Sequence, residues 1–245
     1  MSARRGGPSL RDRLAGLKIT RGALTVAALE VGLSLVWLMS NPEAKQGIED
    51  WLVATPSNVF EHGRVWTLVT SVFLEKSFLG LLLHVMVLWM FVPTLERFWG
   101  TPRFYRFVAV TSIVGTTAGV TMGYFLNINQ PILGLSGFIY ATIVAFGIVY
   151  ARQPVQFFGV LPLTGRQLMY GIVGFVVFFV VIQQFWHLAG AFGGSMIAAA
   201  LMTSKRFSPG LAWKRWRIAR ARAKLSVIEG GKPREPKKPS EKWLN

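Results

Sequence analysis

The fold is decided by residues 132–150, which read ILGLSGFIYATIVAFGIVY and contain no charged side chain. A helix needs about 20 consecutive apolar residues to cross the hydrocarbon core of a bilayer. This stretch is therefore predicted to be a transmembrane helix with one serine near its start. Because a serine can simply bond to a carbonyl of its own helix, the surrounding segments decide what Ser136 does.

Working outward, five more segments share this apolar character. They are residues 23–40, 79–95, 104–126, 168–182 and 185–202. The fifth of the six spans is short, and an earlier start in the apolar run 157–163 is possible. The first follows basic residues like a signal peptide, but Glu30 and the lack of a small-x-small cleavage site favour a retained helix. The sequence predicts an all-α protein, a six-helix membrane bundle.

The chain carries 27 Lys and Arg against 11 Asp and Glu, a net charge of +16 that would suit a nucleic-acid partner. The basic residues, however, cluster at the ends, with six in 1–22 and thirteen in 204–245. This distribution argues against nucleic acid and for a membrane protein, because the middle is poor in charge. The absence of cysteine excludes disulfides, thiolate metal sites and cysteine nucleophiles.

The charges also predict an orientation. Six spans place 24 of the 27 basic residues on one side, and only Lys45, Arg64 and Lys76 on the other. Because basic loops stay cytoplasmic, both termini are predicted to be cytoplasmic and the loop 41–78 to face outward. The bare six-helix core and the short ends indicate a bacterial inner membrane.

Three parts are predicted along the chain. A basic cytoplasmic segment (1–22) precedes the membrane domain (23–203), and a basic cytoplasmic tail (204–245) follows it. The start of the tail has the pattern of an amphipathic helix that binds anionic lipids, and the rest is predicted to be disordered. Charges that only fix the topology would look the same, so both interpretations stand.

Polar side chains inside the predicted spans are the functional candidates, because hydrocarbon penalises them. They are Glu30, His84, Glu96, Ser136 and His187. Counting from the span ends puts His84, Ser136 and His187 in one layer near the outer surface. Glu30 has no assigned role at this stage, and Glu96 is expected to bind loop backbone.

Small residues repeat every four positions in three spans. They are Gly137, Ala141 and Ala145; Gly190, Gly194 and Ala198; and Gly115, Gly119 and Gly123. Such repeats let helices approach closely. If the first two sets face each other, the Ser136 hydroxyl meets the His187 imidazole.

A histidine that accepts the serine proton creates a nucleophile for an amide carbonyl. No intramembrane Asp or Glu is placed to orient this histidine, so Tyr140 is expected to stack on His187 instead. Gly134 and Leu135 put the nucleophile in the first helical turn, where free backbone N–H groups favour an oxyanion.

Taken together, the motifs resemble the rhomboid family of intramembrane serine proteases over residues 66–200. The shared patterns are G-x-S-G at 134–137, H-x-x-G-x-x-x-G at 187–194, L-W-x-F-x-P-x-L-E at 88–96 and a W-x-x-x-T-x-x-F loop at 66–73. The resemblance implies a six-helix core that cleaves transmembrane proteins entering beside the fifth span. It makes Ser136 the nucleophile and His187 the general base, without a carboxylate, metal or cofactor.

The chain departs from the family at the second span, where H-x-x-x-N is usual. Aligned on 88–96, the family's His falls on Gly80 and its oxyanion-binding Asn on His84. The other alignment makes His84 the motif His and Leu88 the replaced Asn, but shifts the rest of the signature. The family's loop Arg falls on Thr67, which is expected to loosen that loop. A lost oxyanion donor slows serine proteases by about 10²–10³-fold.

Two function classes follow. One is an active intramembrane endopeptidase, favoured by the intact pair Ser136 and His187. The other is a catalytically silent rhomboid-like protein that binds transmembrane helices, favoured by the changes at Gly80 and Thr67. A transporter is disfavoured because no ion relay or inverted repeat is evident.

Overall fold

The structure is a computed structural model that describes residues 19–157 and 161–204, with Arg217 and Arg220. Its α-helices in chain order are α1 (Arg21–Met39), α2 (Pro42–Leu52), α3 (Thr67–Thr70), α4 (Phe78–Trp99), α5 (Thr101–Phe125), α6 (Ser136–Val149), α7 (Gly165–Gln183) and α8 (Trp186–Thr203). A π-helical turn spans Ser57–Glu61, a 3₁₀ turn spans Ser71–Phe73, and the strands β1 (Pro154–Phe157) and β2 (Leu161–Thr164) pair antiparallel.

Six of these helices lie within four residues of the six predicted spans at either end. Four of them, α1, α4, α5 and α7, are long and apolar enough to cross a membrane. Helix α6 is a shorter apolar helix, and α8 is not among the four. The protein is therefore a mostly helical membrane protein, whereas the number of six spans stays a prediction.

The exposed surface of α7 is apolar, which indicates the medium around the helix bundle. Phe175, Val177, Phe178 and Val181 are each more than half exposed, and only 22% of this span is buried within the protein. A continuous exposed apolar face of this kind is incompatible with water and matches lipid tails.

One predicted helix start is wrong, and the earlier start considered for the fifth span is not found. Helix α6 begins at Ser136 rather than at 132, because Ile132 pairs with Ala54 in a β-bridge and Gly134 has a φ of +79°. The fifth span does not start in 157–163, because β2 occupies Leu161–Thr164. Helix α7 begins after Thr164, whose hydroxyl accepts from Gln167 N while Gln167 bonds back, a capping box.

The loop 41–78 is folded rather than loose. Arg64 Nη1 donates to Asp50 O (2.5 Å) and to Asn58 Oδ1 (3.2 Å), and the Trp51 and Trp66 rings stack at 5.8 Å. Thr67 is buried and donates to Arg64 O at 2.7 Å. Arg64 thus stabilises the loop by hydrogen bonds, although the threonine at position 67, in place of the family's arginine, was expected to leave the loop less ordered.

Glu96 joins the start of α1 to the end of α4. Its Oε1 accepts from Gly22 N (3.0 Å) and Thr101 Oγ1 (2.8 Å), and its Oε2 accepts from Ala23 N (3.0 Å). These amides precede the first intrahelical bonds of α1 and need an external acceptor. The expectation that Glu96 binds backbone is confirmed, although the backbone belongs to a helix start.

The glycine repeats pack, but not in the predicted pairs. A Cβ at Gly190 or Gly194 would meet Ala118 of α5 at 2.8 Å, so these two glycines face α5 rather than α6. Gly137 of α6 instead faces Ser195 of α8. Helix α8 therefore sits between α5 and α6, and uses different faces for each.

Two compact units divide the chain, residues 1–206 and 207–245. Only Arg217 and Arg220, both helical, are described in the second. Apart from these two residues, the predicted amphipathic helix and disordered end of the tail lie outside the described residues, as does most of the basic segment 1–22.

Replacing the acceptor of the α1 amides tests the role of Glu96. In Glu96→Gln, one carboxylate oxygen becomes an NH₂ group that faces a backbone N–H, so a charge-assisted bond is lost. We expect a loss of about 2 kcal/mol, which lowers the melting temperature in detergent by roughly 4–8 °C. Glu61→Gln, at an exposed loop glutamate, is the control, and an equal melting temperature for both variants would contradict the role.

The α5–α8 contact is tested by Gly119→Leu. A Cβ at Gly119 would lie 2.8 Å from Ala191 Cβ, whereas one at Gly193, also in the bundle, has no neighbour within 4 Å. We expect Gly119→Leu to destabilise the fold by about 1–3 kcal/mol through overpacking and Gly193→Leu to have little effect. Thermal unfolding of both variants measures this, and equal stability would place the two helices further apart.

Candidate functional site

A cavity of about 680 Å³ lies among α5, α6, α8 and the segment before α6. Ser136 and His187, the predicted nucleophile and base, both line it. Gln130, Gln183 and Gln184 add polar groups to a wall of mixed polar and apolar residues. The two residues thus border one cavity, but the predicted hydrogen bond between the Ser136 hydroxyl and the His187 imidazole is not found among the described residues.

Ser136 occupies the first position of α6. Gly134 before it takes a positive φ of +79°, which only glycine adopts without strain, and its N–H donates to Ser71 O at 3.0 Å. Leu135, the N-cap, is fully buried and anchors the turn. The first helical bond runs from Ile139 N to Leu135 O, so the N–H groups of residues 136–138 precede it and have no acceptor within α6.

The hydrogen-bond partner of Ser136 is His84. His84 Nε2 lies 3.0 Å from Ser136 Oγ, and the histidine comes from α4, behind the cavity wall. The sequence interpretation placed His84 where it would bind an oxyanion. In the structure its Nε2 lies against the serine oxygen itself.

The other nitrogen of the His84 ring, Nδ1, contacts a carboxylate. Glu30 Oε1, from α1, lies 2.6 Å from His84 Nδ1, and Glu30 is completely buried. The sequence analysis considered an orienting acid only for His187, whereas the acid in the structure contacts the other histidine, His84. Glu30 was among the polar residues noted in the spans, but counting residues from span ends does not reveal which helix faces it, so the pairing was missed.

A second carboxylate, that of Glu75 in the loop 41–78, lies near His84. Its Oε2 lies 3.9 Å from His84 Nδ1, its Oε1 accepts from Ser77 N, and its own N–H donates to buried Ser34. It also fills the space beside Gly80, where a Cβ would come within 3.0 Å of it. Glu75 was not among the candidate residues that the sequence indicated.

His187 has a different environment from the one predicted. Its ring is mostly buried and packs against Phe185 at 6.0 Å, and Nδ1 has no hydrogen-bond partner among the described residues. Tyr140 does not stack on it as expected, because the Tyr140 ring packs against Phe192 at 4.9 Å. His187 thus reaches the cavity, while the serine is bonded elsewhere.

Chemically, the arrangement is a chain of carboxylate, imidazole and hydroxyl. The carboxylate can orient the ring and balance the positive charge that forms when the imidazole takes the hydroxyl proton. Within the described residues, no group of three His, Cys, Asp or Glu side chains has the geometry to hold a metal ion. The start of α6 supplies N–H groups beside the same hydroxyl.

A comparison with known protein families gives one match. The profile of a family described as eukaryotic integral membrane protein (DUF1751) matches residues 23–203, which are the predicted membrane domain. No curated protein matches the chain.

This match corrects the predicted location. A family described as eukaryotic conflicts with a bacterial inner membrane, so that expectation is wrong. The protein is a multi-pass integral membrane protein, and the side on which its termini lie stays a prediction.

The turn before Ser136 is tested by Gly134→Ala. A Cβ there would lie 2.6 Å from Glu75 Oε2, in addition to the strain of the positive φ. Gly63 has a similar φ of +67° but no neighbour within 4 Å, so Gly63→Ala measures the strain alone, about 1–2 kcal/mol. We expect Gly134→Ala to lower thermal stability further than Gly63→Ala. Equal losses would mean that Glu75 does not press on this turn.

Proposed function

This chain belongs to the eukaryotic integral membrane protein family, and we propose that it is an intramembrane serine endopeptidase of the rhomboid type. It cleaves other transmembrane proteins within or beside their membrane segments. Ser136 is the nucleophile, and the reaction needs no metal or cofactor.

One observation carries this proposal. The Ser136 hydroxyl borders a cavity, lies 3.0 Å from an imidazole nitrogen and stands at the start of a 14-residue helix. A base activates the hydroxyl, and N–H groups at the helix start stabilise the oxyanion that forms when it attacks a carbonyl. A serine with only a structural role needs neither the cavity nor the imidazole.

The membrane setting supports the substrate class. The cavity is flanked by helices α5 and α6 of a protein whose outer surface, on α7 in particular, is exposed and apolar. A peptide bond reaching this site belongs most simply to a chain that is itself in the membrane. Transmembrane proteins are thus the proposed substrates and the lipid bilayer the surrounding medium.

A silent helix-binding protein is the second candidate. It is favoured by His187, the base that the resemblance assigns, whose Nδ1 has no partner among the described residues. In that case the cavity binds a transmembrane segment without cutting it.

Fluorophosphonate labelling separates the two candidates. We expect the purified protein in detergent or nanodiscs to be labelled on Ser136, and Ser136→Ala to lose both the label and cleavage of a reporter transmembrane protein, by at least about 10³-fold.

The matched control is Ser40→Ala, which removes a half-buried serine at the end of α1 whose hydroxyl donates to Val36 O of the same helix. It should be labelled and should cleave as the unmodified protein does. Labelling that persists in Ser136→Ala, or an unmodified protein that neither labels nor cleaves, would refute the protease.

A further inference from the structure

We infer that His84, oriented by Glu30, is the general base that activates Ser136, and that His187 is not. This assignment rests on the proposed function, which it deepens by replacing a two-residue dyad with a triad. The three residues come from α1, α4 and α6, and two of them have no base or orienting role in the resemblance.

The hydrogen bonds fix the state of the ring. Because a carboxylate only accepts, the 2.6 Å contact with Glu30 places the proton of the neutral imidazole on Nδ1. Nε2 then presents its lone pair to Ser136 Oγ at 3.0 Å. This is the tautomer that a base must have, and the pairing with Glu30 selects it.

Burial makes the pairing strong. Glu30 has no exposed surface and His84 only 8%, so water does not weaken their interaction. When the ring takes a proton, it becomes a cation beside a buried carboxylate, which stabilises it. Glu30 acts through His84 and touches no reacting atom, so it is a positioning residue.

The reaction balances with these groups. Ser136 Oγ bonds to the carbonyl carbon, the carbonyl π pair moves onto its oxygen, and the hydroxyl proton moves to His84 Nε2. The C–N bond then breaks, and the leaving nitrogen takes that proton. Water next attacks the acyl-enzyme and gives a proton to Nε2, which returns it to Ser136 as the ester bond breaks.

In this assignment His187 contacts the substrate. It lines the cavity with Ser136, on α8 and not on the helix that carries His84. In this arrangement its ring contacts the bound peptide rather than the nucleophile. His84 thus takes the role of base that the resemblance gives to His187.

The test compares rates of Ser136 phosphonylation among variants. We expect His84→Ala and His84→Asn to lower the rate by about 10²–10⁴-fold and Glu30→Gln by more than about tenfold. His84→Asn keeps a polar side chain of the type that the alignment on 88–96 places here, which guards against a variant that merely fails to fold. His62→Ala and Glu61→Gln, both exposed, are the controls.

The role of Glu30 in positioning His84 can also be tested by a measurement other than the labelling rate. The short bond should give the His84 Nδ1 proton a strongly downfield ¹H NMR signal, absent in His84→Asn and moved upfield in Glu30→Gln. A glutamate with only a packing role would leave this signal in place. A signal unchanged in Glu30→Gln overturns the positioning role.

The outcomes separate this assignment from the proposed function. If His84→Asn labels within tenfold of the unmodified protein while His187→Ala does not label, the triad is wrong and the protease stands. If Ser136 is never labelled, the proposed function fails, and with it the assignment of a base.

Discussion

The interaction on which the site depends is the buried bond between Glu30 and His84. A carboxylate with no exposed surface inside a membrane protein must be paired, because neither lipid nor apolar side chains replace its hydration. Its partner ring is bonded in turn to Ser136, so this one acid links α1, which carries it, to α4, which carries His84, and to α6, which carries Ser136.

A second buried acid, Glu96, has a structural role. Glu96 reaches from α4 to the first amides of α1, at the opposite end of that helix from Ser34 and its bond to Glu75. Helix α1 has only 28% of its span buried within the protein, so apolar packing alone holds it weakly. Polar anchors along its length therefore decide where Glu30 lies, and so where His84 points.

Prediction from sequence worked best where one helix decides the outcome by itself. The apolar runs located six helices to within a few residues, and the G-x-S-G turn put Ser136 at a helix start. Prediction was least accurate for the contacts between helices. Gly190 and Gly194 face α5 rather than α6, Tyr140 packs on Phe192, and Ser136 is hydrogen-bonded to His84.

The sequence by itself determined that this is a multi-pass helical membrane protein with a serine and two histidines near helix ends, because hydrophobicity and span length are properties of a single segment. Only the tertiary structure decided which histidine meets the serine and that a carboxylate stands behind it. The reason is that depth along a helix can be counted in residues, whereas rotation about its axis and the choice of neighbour depend on how all the helices pack.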